Sequence, residues 1–344
     1  MFNYRIAKKC GVVVIVGVFN TPMNVLAFDD FLQPGLQAKL GLASYIGNIN
    51  SVGVLGEDDS VIIESLGSEL PSYSFVTLLP EIDLAYNFSR SHGLSLKVFS
   101  DGVKRGTPLD VQPYLNFEYT QLFDSGMKIW VSHAPGFLNV SPVWQDPYLT
   151  GEALESTNAQ VDLLSVGVDY IFGSPLSFSI SRGEQKIEKE QSAQQTNLGL
   201  SQQQIELLNR NADSLDFNVS VTLPILNDLF IVLGAKFARV DAEGRAQSYH
   251  QGGLDLGGLY IKGAWQVFAQ VWAGTSDYDK ANPIFNQKRD DEIYNMSAGL
   301  SVKELFGLDN TEWSAYVHMS ERKSNIQFFD QSEEIVGLSC SYRF

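Results

Sequence analysis

Apolar and polar residues alternate along this chain in stretches of about ten, and turn residues separate the stretches. In residues 76–88, one face carries Val76, Leu78, Ile82, Leu84, Tyr86 and Phe88, and the other Thr77, Glu81, Asp83 and Asn87. Residues 215–223 set Leu215, Phe217, Val219, Val221 and Leu223 against Asp216, Asn218, Ser220 and Thr222. A period of two is the period of a strand, so each stretch is a strand with one greasy face. The pattern predicts about 14 strands, near 36–49, 74–88, 93–101, 110–122, 127–134, 160–172, 176–183, 213–225, 229–241, 248–261, 264–278, 291–305, 311–321 and 333–344.

The connections between these strands alternate in length. Tight turns follow the even-numbered strands, at 89–92, 123–126, 173–175, 226–228, 262–263 and 306–310. The other connections are mostly long, including 50–73, 135–159, 184–212 and 279–290. Short turns therefore fall on one rim and long loops on the other. A soluble sandwich has no reason to sort its loops by rim, whereas an outer-membrane barrel has short periplasmic turns, long extracellular loops and an even strand number. Lipid also demands closure, because an open edge would leave backbone groups unpaired there. The expected fold is all-β: a closed antiparallel transmembrane β-barrel, with the aromatic residues Tyr86, Phe88, Tyr170, Phe172, Tyr342 and Phe344 near its turn end.

The amino terminus is consistent with export. Arg5, Lys8 and Lys9 precede an apolar run at 10–19, and a polar, Pro-containing stretch follows to Ala27. Val25 and Ala27 fit a cleavage site, so residues 1–27 read as a signal peptide removed after Ala27, and residues 28–344 as the barrel domain. Cys10 leaves with the signal, and the remaining Cys340 has no disulfide partner. No later apolar run approaches the roughly 18 residues of a membrane helix. The net charge of −16 argues against nucleic acid as a partner. The expected partners are outer-membrane lipid and lipopolysaccharide, small solutes and the outer-membrane assembly machinery. No cofactor or metal is implied. Tyr342 and Phe344 close the chain in the manner of the terminal strand that the assembly machinery recognises.

Parity places Lys39, Glu81, Asp83, Lys97, Glu118, Lys128, Asp169, Asp216, Lys236 and His318 on the inward face. A barrel of this size has a backbone radius of roughly 14 Å, wide enough for a water-filled bore. The mixed, slightly acidic lining predicts passage of small neutral solutes or a weak preference for cations. The same mixed signs also suit internal salt bridges that brace the wall. In the outer loops, Glu57, Asp58 and Asp59 form an acidic patch without the spacing of a calcium loop. Residues 188–204 are Gln-rich and could fold inward, and residues 201–208 suit a short helix.

Four segments resemble an outer-membrane family, domain-of-unknown-function family 2860: the loop Trp144-Gln145-Asp146-Pro147, the segment Leu208-Asn209-Arg210-Asn211, residues 281–292 (ANPIFNQKRDDE) and residues 324–330 (SNIQFFD). The resemblance implies an outer-membrane barrel and no particular chemistry. Residues 282–291 and 324–330 are also similar to the barrel of surface lipoprotein assembly modulators, whose additional periplasmic helical domain has no counterpart in a chain filled by strands.

Two other classes of function compete with a diffusion pore. A surface adhesin or receptor would use the long loops, where Trp144, Tyr148, Phe285, Phe328 and Phe329 could stack on sugars or pack on one another. A hydrolase would need a nucleophile and a base together. Ser132 and His133 are adjacent in a strand and point to opposite faces, and no G-x-S-x-G, H-E-x-x-H or phosphate-loop motif is present.

Overall fold

The computed structural model describes residues 34–51, 61–67, 72–98, 114–195 and 198–344. The expected signal peptide with its cut at Ala27, and the acidic patch Glu57-Asp58-Asp59, lie outside these residues. The strands are β1 (Gly35–Asn50), β2 (Ser72–Asn87), β3 (His92–Val98), β4 (Leu115–Leu122), β5 (Lys128–Ala134), β6 (Val140–Trp144), β7 (Ser156–Asp169), β8 (Leu176–Ile187), β9 (Ala212–Leu226), β10 (Leu229–Ala242), β11 (Tyr249–Lys262), β12 (Trp265–Asn282), β13 (Gln287–Lys303), β14 (Thr311–Ser324) and β15 (Gln331–Arg343). Sequence neighbours pair antiparallel, β15 pairs β1, and β5 pairs β7 directly. The wall is thus a closed ring of fourteen strands. The short β6 stands outside that ring and pairs only with the upper end of β7, Ser156 to Gln160.

Two departures from the sequence pattern matter. β6 is missed because five residues containing Pro142 carry too little alternation to register. The connection read as a loop at 279–290 is instead a tall hairpin, in which β12 and β13 continue pairing to Asn282 and Gln287 after a register shift near Asp277. Lys288 pairs with Asp277 and ties that extension together.

The two faces of the wall are inverted relative to a soluble protein. Leu254, Leu256, Phe237, Leu338 and Val219 are exposed on the outside, while Asn116, Ser165, Gln185, Ser214, Asn295 and Ser341 are buried inside. On β10 the outward residues are apolar from Leu229 to Phe237, and Arg239 and Asp241 follow. A run of about nine residues tilted near 40° rises roughly 23 Å, close to the apolar band of an outer-membrane barrel. Below the band stand exposed aromatics, among them Tyr86, Phe88, Tyr342, Phe344, Trp265 and Phe172. The protein is therefore a bacterial outer-membrane β-barrel. No helix of the described residues is long and apolar enough to cross a membrane; the chain crosses with strands.

Several inward aromatic rings lie flat against glycines of the neighbouring strand. Trp130 covers Gly167 and Tyr316 covers Gly337, each directly opposite in the ladder. A Cβ at either glycine would overlap the ring.

Candidate functional site

The inward charges are organised as pairs across neighbouring strands. Lys97 on β3 meets Glu118 on β4 at 4.0 Å, with side chains only 4% and 3% exposed. Lys128 on β5 meets Asp169 at the end of β7 at 3.5 Å. Lys236 on β10 meets Asp255 on β11 at 3.3 Å, and Gln270 on β12 donates to the same carboxylate at 2.7 and 2.8 Å. Lys39 on β1 reaches across β15 to Glu312 on β14 at 3.4 Å, and Arg343 approaches that carboxylate at 4.0 Å. Asp83 stands between Lys39 and Lys97 in the ladder. Tyr45 Oη lies 3.5 Å from Glu81, Ser214 Oγ donates to Asp216 at 3.4 Å, and His318 Nδ1 pairs with Ser297 Oγ at 2.9 Å.

The ten inward candidates thus do not form one cluster. They are distributed around the wall, and every lysine among them sits beside a carboxylate. Glu312, Asp255 and Arg343 complete these pairs and were not among the candidates; each shares the inward parity of its strand. Lys97 and Glu118 are too enclosed to line a wide bore at their level.

The extracellular mouth is roofed. Residues from five outer connections share one apolar cluster, which includes Ile63, Trp144, Tyr148, Leu208, Ala246 and Phe328, and Phe285 of the β12–β13 hairpin packs against it. Tyr148, from the connection between β5 and β7, stacks on Phe328, from the β14–β15 connection, with centroids 5.3 Å apart. Going round the ring, six strands separate these two connections one way and eight the other. They spring from nearly opposite sides of the cylinder, so a contact between them must cross the mouth. The loop aromatics Trp144, Tyr148, Phe285, Phe328 and Phe329 pack on one another here.

Polar contacts hold the roof in one geometry. The Tyr148 hydroxyl accepts from Gln247 at 2.9 Å and Asn282 at 3.4 Å, from two further hairpins. Burial pushes the Tyr148 phenol above its ordinary pKa of 10.0. The Asp146 carboxylate accepts from the backbone N–H groups of Tyr148, Ala193 and Gln195 at 2.8 to 3.1 Å, pinning the 188–211 loop. Arg210 donates to Glu190 and to the carbonyls of Trp144 and Gln145. At the wall, Arg289 on β13 lies between the rings of Tyr278 and Phe329, 4.5 and 4.0 Å from their centroids, and makes a two-point pair with Asp291. The expected short helix is present as α1 (Gln202–Glu206), started by a Ser201–Gln204 capping box.

The histidines near the outer rim have structural partners. His133 points outward and contacts Asp162 at 3.1 Å, while Ser132 is buried on the opposite face. His250 lies 3.9 Å from Asp279. Among the described residues, no group of three His, Cys, Asp or Glu side chains is placed to hold a metal.

A family model described as "Protein of unknown function (DUF2860)" matches residues 35–343. The chain belongs to the DUF2860 family. The four segments that carry this resemblance in the sequence all contribute to the roof or its anchorage, through Trp144 and Asp146, Leu208 and Arg210, Asn282 and Arg289, and Phe328. No curated protein matches this DUF2860 barrel. Solved structures similar to it include a loop L8 deletion mutant of OmpT, an outer membrane protein of Vibrio cholerae, at 10% identity and TM-score 0.46, covering 90% of this chain and 99% of that one. The CymD monoaromatic hydrocarbon channel is similar at 10% identity and TM-score 0.45, covering 94% and 92%. A Pseudomonas aeruginosa FadL homologue is similar at 11% identity and TM-score 0.38, covering 90% of each chain.

Proposed function

We propose that this barrel is a passive diffusion channel for small solutes, neutral or weakly cation-preferring, with its outer mouth narrowed by the loop roof. The observation that carries this reading is the inward face: a lipid-embedded cylinder of fourteen strands buries Ser, Asn, Gln and charged side chains inside, alongside aliphatic and aromatic ones such as Tyr45, Phe75, Trp130 and Leu259. An apolar, fully packed interior would brace a wall equally well, so a polar one favours contact with water or polar solutes. Among the less enclosed inward charges, the acids Glu81, Asp83, Asp169, Asp216, Asp255 and Glu312 outnumber Lys39, Lys128, Lys236 and Arg343, which supports a mild cation preference. The separation of Ser132 from His133 speaks for a channel over a hydrolase.

The ordered roof also favours a second reading, a non-conducting surface barrel whose loops bind a partner or glycan. Proteoliposomes distinguish the two. With the purified protein in the bilayer, small neutral sugars are expected to equilibrate and a KCl gradient to give a cation-side reversal potential. Anion selectivity would contradict the lining assignment. An impermeable bilayer containing folded protein would favour the binding role.

A further inference from the structure

The upper edge of the apolar band differs in charge around the barrel. On the face built from β7 to β11, the ladder sets Leu164, Arg182, Leu215, Arg239 and His250 in one row. The two arginines therefore flank Leu215, about 10 Å apart at two strand spacings. One outward position lower stand Ile180, Phe217 and Phe237, within the apolar band. One outward position higher stand Glu184, Asp213 and Asp241. On β8 and β10 the first polar side chains met on leaving the membrane are thus arginines, with carboxylates one outward position above them, while beyond His250 the row continues to Asp277 on β12. Across the barrel, on β15, β1 and β2, the residues following the last apolar ones are Glu334, Asn48 and Ser74.

We propose that Arg182 and Arg239 dock the phosphate groups of a phosphorylated glycolipid of the outer leaflet, whose acyl chains run down over Leu215, Phe217 and Phe237. The arginine side chains are 75% and 54% exposed and project outward. Their pairs with Asp213 at 3.4 Å and Asp241 at 2.8 Å are solvent-facing, so they hold the guanidinium groups only weakly against a competing anion. A guanidinium presents a fork that matches phosphate oxygens. The long loops mark this rim as extracellular, which selects the outer leaflet as the source of the phosphate. The row offers what such an amphiphile needs: two cationic groups at headgroup depth with apolar surface between and beneath them. This docking rests on the transmembrane placement of the barrel and is independent of whether the lumen conducts.

The test uses the full chain in nanodiscs of phosphatidylcholine containing either phosphorylated lipopolysaccharide, the same lipid after phosphate removal, or phosphatidylglycerol, followed by native mass spectrometry. The wild-type barrel is expected to retain the phosphorylated glycolipid at least about tenfold over the other two, the effect of one to two charge-assisted contacts. Arg182→Ala/Arg239→Ala should lose that preference, and Glu334→Gln on the far side should keep it. Heat-dependent gel mobility checks that each variant is a folded barrel. Equal retention of dephosphorylated lipid or of phosphatidylglycerol by the wild type would overturn the proposal without any variant. Unchanged retention by the folded double variant would overturn it as well.

Discussion

At the scale of single residues, the interior is a set of charge pairs whose members depend on one another. Lys97 and Glu118 illustrate this, because water barely reaches either side chain and removing the lysine leaves a buried carboxylate without the cation beside it. Lys97→Met should cost about 3–5 kcal/mol, while the double change Lys97→Met/Glu118→Leu should recover most of it, since a buried pair is often replaceable by apolar groups of similar volume. A double-mutant cycle on urea unfolding in detergent, followed by gel mobility, measures both; additive losses would mean that the two side chains do not interact. The lysines of these pairs were readable from strand parity alone. Their partners Glu312 and Asp255 were not picked out, because parity gives the face of a residue and says nothing about which strand-mate a flexible lysine will reach.

At the scale of elements, the strands and their inward and outward faces were legible because alternation is local: each strand announces itself within about ten residues. The short helix α1, expected within 201–208, was legible for the same reason. The roof was not. Nothing in the spacing of Tyr148 and Phe328 says that they meet; their contact follows only once closure brings opposite hairpins over one mouth. The height of the β12–β13 hairpin was also hidden, since above the membrane the outward face turns polar and alternation no longer marks a strand. Cross-strand fit between elements was equally silent in the sequence. Gly337 accommodates the ring of Tyr316 from the adjacent strand, and a side chain there would displace it. Gly337→Val should lower barrel stability by about 1–3 kcal/mol through overpacking, read as an earlier transition from the folded to the unfolded gel band on heating. An unchanged transition would show that the ring moves aside freely.

At the scale of the whole molecule, the fold places a partly polar interior within lipid and narrows its outer end with residues packed together from six outer connections. Tyr148 is central to that narrowing, joined to Phe328 by stacking and to Gln247 and Asn282 by hydrogen bonds. Truncating it removes a large buried ring, with a local cost of about 3–5 kcal/mol, and leaves the lipid-facing wall untouched. Single-channel recording in a planar bilayer, comparing the wild type with Tyr148→Ala, therefore tests the central claim most directly. The wild type should show small discrete conductance steps, and the variant larger or longer ones as the roof loosens. Folded, inserted protein that gives no steps in either form would contradict a solute path through this barrel.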